Sequence, residues 1–272
     1  HCRIFNLSSG NEGYIFNGGR QMPWAELIDQ LIRELDIIVV VSAGNVANPI
    51  IPNFSSRDEL MNQCRDQLFD PENRLIDPAT TALGITVGSI TRYSEPDNVR
   101  YGITRLSVGE SDYMSVFTRI GKGVSGAIKP EFVDYGGNYA LHQMPRSENR
   151  WHDKDRLLME PTLNHTTDRV FKGYNGTSFS APHVTHIAAR LERALEVQMG
   201  ESPSANLIKA LLASSAKYPP AMREWIELAQ DPHFTGDRIQ RQDQRLRLVG
   251  YGKVDDSVLF SGKHQVTLFA ED

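Results

Sequence analysis

Residues Asp36 to Asn45 read Asp-Ile-Ile-Val-Val-Val-Ser-Ala-Gly-Asn, and no other stretch limits the possible folds of this chain as sharply. Ile37 to Val41 are apolar and mostly β-branched, with no alternation. A strand with one wet face alternates. This one therefore needs burial on both faces, which a parallel sheet covered by helices provides. Just upstream, Pro23 to Leu35 carries Leu27, Ile28, Leu31, Ile32 and Leu35 at helical spacing, and Pro23 suits a helix's first turn. Arg3 to Ser8 is apolar and β-prone. Strand, helix, strand in this order predicts parallel strands joined by a right-handed crossover. Two loops of small residues, Ser8-Ser9-Gly10 and Ser42-Ala43-Gly44-Asn45, then leave the carboxyl ends of neighbouring strands. Open α/β sheets place ligands there, and glycine lets a ligand backbone come close.

A second informative run is Gly173 to Val184, reading Gly-Tyr-Asn-Gly-Thr-Ser-Phe-Ser-Ala-Pro-His-Val. The polar turn Asn175-Gly176-Thr177 delivers Ser178 to an apolar helix expected over Ser178 to Glu196. Pro182 fits its first turn, and Val184, Ile187, Ala188, Leu191 and Leu195 form its stripe. A serine there meets the positive end of the backbone dipole and several free N–H groups, which stabilise an oxyanion forming beside its hydroxyl. The same position suits a serine that merely caps the helix. Asn45, taken alone, equally suits a turn. A further helix is expected from about Ser202-Pro203, with Leu207, Ile208, Leu211 and Leu212 facing inward.

The run Gly176-Thr177-Ser178-Phe179-Ser180-Ala181-Pro182 resembles the nucleophile signature of the subtilisin-like serine proteases, and Ser42-Ala43-Gly44-Asn45 is similar to the family segment bearing the oxyanion-hole asparagine. Further likenesses follow in the family's order. Arg3 to Gly10 resembles the strand and loop that pair with a substrate backbone, and Thr86 to Ser89 the strand after the oxyanion loop. Ser115 to Arg119 and Ile128 to Gly137 resemble the stretch leading to the nucleophile, and Gly250 to Asp255 the segment after the second C-terminal helix. One departure is His186, where the family usually has a small Ala or Gly; it puts bulk toward whatever the helix packs on.

The resemblance implies an α/β, three-layer fold with a mostly parallel sheet, incomplete for lack of N-terminal strands. It implies one partial peptidase domain over residues 1–272, with insertions near 48–78, 138–170 and 217–247. It implies peptide-bond hydrolysis through an acyl-enzyme on Ser178, with the Asn45 amide and the Ser178 N–H holding the oxyanion. Ser8, Ser9, Gly10, Ser42, Ala43 and Gly44 would bind the main chain of a polypeptide substrate and line its primary side-chain pocket. No cofactor or metal is implied.

The family's catalytic residues run Asp, His, Ser, and the first two precede the segment resembled by Arg3 to Gly10. Only two residues precede it here, and no Asp-Thr-Gly-like or His-Gly-Thr-like motif appears. His1 lies too close to that segment to be the base, His183 reads as structural, and Asp134 aligns with a non-catalytic stretch. A serine hydroxyl without a base is a poor nucleophile, and an oxyanion hole alone retains little catalysis. The chain alone is expected to be nearly inert. It opens on His rather than Met, so the expectation is a fragment whose Asp and His lie on a missing N-terminal segment. The alternative is an inactive peptide-binding or regulatory module on the same fold. The strand near residues 3–8 is expected to be an exposed edge that associates with that segment or with a second copy.

Composition narrows the remaining classes. A net charge of −5 offers no footprint for nucleic acid, and no apolar stretch reaches the ~18 residues of a membrane span. Cys2 and Cys64 make no disulfide framework; a buried Cys64 would fit a reducing compartment such as the cytoplasm. His142, His152 and His165 fit no common zinc spacing. Ser56 to Glu59 is a capping-box pattern opening a short helix with Leu60, Met61, Cys64 and Leu68, placed over the cleft or on a remote surface. Arg238, Arg241, Arg245 and Arg247, interleaved with Asp237 and Asp243, are expected on a solvated face.

Overall fold

In the computed structural model, which describes residues 2–46, 57–97, 105–142, 150–152, 155–166, 169–227 and 238–261, the β-branched run does become a strand buried from end to end. The elements run β1 (Ile4–Leu7), β2 (Asn11–Ile15), α1 (Pro23–Leu35), β3 (Ile38–Ser42), α2 (Arg57–Leu68), β4 (Ile76–Asp77), β5 (Ile85–Ile90), β6 (Arg105–Ser107) and β7 (Phe132–Tyr135). There follow β8 (Ala140–His142), β9 (Arg150–His152), β10 (Glu160–Leu163), β11 (Phe171–Tyr174), α3 (Thr177–Met199), α4 (Ala205–Ser215), α5 (Pro220–Glu227), α6 (Arg238–Val249) and α7 (Asp256–Phe260).

Four strands form a parallel sheet in the order β1-β3-β5-β7. Successive residues of β3 point to opposite faces, and the packing follows. Ile38 and Val40, with Ile85, Val87 and Phe132, bury against Ala181, Val184 and Leu191 of α3 and Ile208 and Leu212 of α4. Val39 and Val41 bury on the other side with Ile28 of α1, Leu75 and Ala79. Helix, sheet, helix is the expected three-layer arrangement.

The crossover helix α1 has the expected limits but turns a different face inward. Ala25, Ile28 and Asp29 are buried, whereas Leu27, Leu31 and Leu35 remain 52%, 38% and 58% exposed. Asp29 explains the rotation. Its carboxylate accepts hydrogen bonds from Gln21, from the Thr81 hydroxyl, and from the backbone N–H groups of Ala82 (2.8 Å) and Leu83 (2.9 Å). Burial alone would raise its pKa, but these bonds outweigh burial and hold it below the ordinary carboxylate value.

Both ends of α1 are tied to distant chain. Met22 supplies no cap; the Asp77 carboxylate in β4 does, accepting from Ala25 N at 3.0 Å and Trp24 N at 3.2 Å. At the other end Asp36 is left-handed (φ 48). Its carboxylate meets Arg3 Nη2 at 2.5 Å and accepts from Ala205 N at 3.0 Å, joining β1 to α4.

Outside the sheet, α2 buries Leu60 and Cys64 against Val108, Val116 and Leu141, and Leu68 against Met114, Leu248 and Val249. It is part of the core packing; Ser56 lies outside the described residues. The arginine run is less solvated than expected, because Leu248 and Val249 draw the end of α6 into that core. Arg245 and Arg247 are half-buried, and Arg247 Nε donates to the Gly121 carbonyl at 3.2 Å. His186 faces solvent rather than the layer beneath α3. No described helix is long and apolar enough to cross a membrane.

Candidate active site

After β3, the Ala43 N–H donates to the Val87 carbonyl at 2.9 Å, and Gly44 turns the chain at φ +96, a conformation that favours glycine. The turn aims Asn45 at the start of α3, 132 residues on in sequence, where Asn45 Oδ1 accepts from Thr177 N at 2.9 Å and from Thr177 Oγ1 at 3.0 Å. The Gly44 N–H closes the loop by donating to Thr177 Oγ1 at 3.2 Å. A backbone N–H can only donate, so the oxygen end of the Asn45 amide must face Thr177. The Nδ2 end therefore points away, with no hydrogen bond to any described residue.

Ser178 follows Thr177 as the second residue of α3 and is half-exposed. The N-cap position belongs to Gly176, so Ser178 is not the cap; Asn45 accepts from the Thr177 N–H out of the loop after β3. Asn45 itself stays outside the left-handed region. The Ser178 N–H is among the first-turn amides that lack an intrahelical partner. Gly176 (φ +149) holds a backbone conformation that side chains rarely adopt, and a methyl group on it would crowd Asn45 Nδ2 at 3.1 Å. Its N–H is anchored on the Gly136 carbonyl at 2.8 Å.

The loop holding Asn45 is braced by Arg119, which the sequence reading did not single out. Arg119 Nε donates to the Asn45 carbonyl at 3.1 Å, and Nη1 to the carbonyls of Glu72 (2.8 Å) and Arg74 (3.0 Å). Its own N–H donates to the Gly44 carbonyl at 3.2 Å. The side chain is buried, which lowers its pKa against the opposing pull of Glu12 and Glu72. A signal was present: an arginine between Phe117 and Ile120 is rarely buried unless it is paired.

The first small-residue loop also reaches the site. Ser8 Oγ approaches the Ser178 carbonyl at 3.5 Å and accepts from Asn6 Nδ2 at 3.0 Å. Ser9 and Gly10 are exposed at the rim, while Ser42, Ala43 and Gly44 are buried. On the side where a side chain would stand, Gly10 and Gly44 face packed atoms. Ile76 of β4 fills the room beside both.

Charged groups lie close by. His183 Nδ1 is 3.3 Å from Asp134 Oδ1, and Arg92 Nε is 3.4 Å from Glu160 Oε1. Burial raises the Glu160 pKa, with Arg92 and His183 opposing. Neither pair has a hydrogen bond to Ser178. Among the described residues, Ser178 Oγ has no imidazole or carboxylate partner. Among the described residues the Ser178 hydroxyl stands near the helix start without a base.

The sequence model of the subtilase family matches residues 1–252. An uncharacterized protein, y4bN, of Sinorhizobium fredii is 33% identical over 275 residues, covering 100% of this chain and 59% of that protein. The chain thus spans under two thirds of the length of the curated relative it matches. Similar solved structures include the patellamide maturation protease PatA, with a TM-score of 0.47 and 18% identity over 95% of this chain and 62% of that one. A lanthipeptide protease gives 0.48 and 16% over 93% and 59%. MycP1 with its N-terminal propeptide removed gives 0.45 and 18% over 96% and 62%.

Proposed function

This chain belongs to the subtilase family, and from that premise we propose that it carries the nucleophile and the oxyanion-holding half of a serine endopeptidase. Ser178 Oγ attacks the scissile carbonyl. The negative charge that develops on the carbonyl oxygen is met by Asn45 Nδ2 and the Ser178 N–H, at the positive end of α3. The leaving amine departs and water releases the acyl group from Ser178. Ser8, Ser9 and Gly10 on one side, with Ser42, Ala43 and Gly44 on the other, hold the substrate main chain and flank the pocket for the residue donating that carbonyl.

The base is a histidine oriented by an aspartate, both on polypeptide outside this chain. That segment seats along β1, which pairs with β3 on one side and is the edge of the described sheet on the other. The observation carrying this reading is the hydrogen bond from Thr177 N to Asn45 Oδ1. It ties the Asn45 amide to the residue just before Ser178 and leaves its nitrogen end without a hydrogen bond among the described residues, which supports the donor role.

The test is hydrolysis of an internally quenched peptide pool by the full-length polypeptide. Turnover that disappears in Ser178→Ala supports the assignment. Turnover that survives Ser178→Ala overturns it. Absence of turnover in the parent protein favours an inactive peptide-binding module.

A further inference from the structure

We infer that the proposed primary pocket is closed by the Ile76 side chain, so that the residue donating the scissile carbonyl must be Gly, Ala or Ser. This rests on the reading that the loops ending in Gly10 and Gly44 flank that pocket. A methyl group on Gly10 would lie 2.7 Å from Ile76 Cδ1 and 3.1 Å from its Cγ1. On Gly44 it would lie 2.8 Å from the same Cδ1 and 2.9 Å from Cγ1, with Arg119 Cδ at 3.1 Å. One isoleucine tip therefore touches both loops, on the side to which a side chain on either glycine would point. Ile76 is 3% exposed, so the space it occupies is filled rather than merely bordered.

Nothing suggests that the side chain swings aside. Isoleucine is stiff about its first torsion, and the short strand carrying it is fixed from four directions. Ile76 and Asp77 pair with Ile15 and Asn11 of β2. Leu75 N donates to Ile120 O at 3.1 Å, and Ala79 N to Ile76 O at 2.7 Å. The Asp77 carboxylate caps α1. Shifting the β4 backbone to draw Ile76 out would disturb that cap. A substrate carrying Leu or Phe at this position has to displace a well-packed core side chain, whereas Gly, Ala and Ser do not.

The experiment compares kcat/KM of the full-length protein on peptides that differ only at the carbonyl-donating residue: Gly, Ala, Ser, Leu or Phe. The expected result is a preference for the small residues over Leu and Phe of at least ~100-fold, the scale by which pockets discriminate against excess bulk. Ile76→Ala and Ile76→Gly are expected to narrow that ratio by about tenfold or more, through a gain for Leu and Phe relative to Ala within the same variant. Equal cleavage after Ala and Phe by the parent protein overturns the inference, and this comparison stands even if the variants fail to fold. An unchanged ratio in folded Ile76→Ala also overturns it. Ser178→Ala separates the two levels. If it abolishes cleavage while Phe is accepted, only the closed pocket is wrong; if cleavage persists, the underlying assignment falls as well.

Discussion

An asparagine amide is useful to an oxyanion only if its nitrogen end faces the right way, and at Asn45 the choice is made by the Thr177 N–H. Asn45→Ala removes the donor; turnover of the full-length protein is expected to fall about a hundred- to thousandfold with KM little changed, the magnitude known for subtilisin itself. Asn45→Asp is the sharper variant, because the carboxylate still accepts from Thr177 but donates nothing. The expected outcome is the same kinetic loss with the helix start intact by circular dichroism. Arg119 touches no substrate in this account and acts through the Asn45 carbonyl. Arg119→Gln is expected to lower kcat by up to about a hundredfold, as small displacements of a positioned group do. In an Asn45→Ala background the same change is expected to add little. Additive losses in that double-mutant cycle would show that Arg119 acts elsewhere.

The elements show why some features were legible and others were not. Helix α1 announced itself by Pro23 and its period, and β3 by five apolar residues without alternation. The inward face of α1 was not legible, because Asp29 is drawn in by groups more than fifty residues away. Strand β2 is illegible because Asn11-Glu12-Gly13 offers no apolar alternation, and β4 because a two-residue strand carries no period and Asp77 declares itself only by capping a helix distant in sequence. In the site, the Gly-Thr-Ser and Ser-Ala-Gly-Asn runs were legible; Arg119 and Ile76 reach it only through tertiary contact. Leu212→Ala in α4, fully buried on the sheet, is expected to cost about 2–5 kcal/mol in urea unfolding. Burial in α2 pushes the Cys64 thiol from 9.0 up to about 12. The folded chain keeps that proton while the unfolded one releases it. The stability this confers is complete below pH 9 and is lost as the pH climbs toward 12. At neutral pH, exposed Cys2 is expected to react with a thiol reagent, and Cys64 only after denaturant is added.

At the scale of the whole molecule, the free edge of the sheet bears on the proposal that the base lies on a further segment. β1 presents an unpaired side among the described residues, and Leu27, Leu31 and Leu35 leave α1 with an apolar outer stripe. An unprotected edge of this kind recruits a further strand. If the proposed upstream segment covers it, β1 amides are expected to exchange with deuterium quickly in this chain alone and slowly in the longer polypeptide. Fast exchange in both would place that segment elsewhere. The most direct test of the central claim is covalent labelling of the longer polypeptide with a fluorophosphonate, followed by mass mapping of the adduct. The account predicts one adduct, on the peptide containing Ser178, formed far more slowly in Asn45→Ala. An adduct on another residue, or labelling at Ser178 at the same rate without Asn45, would contradict it.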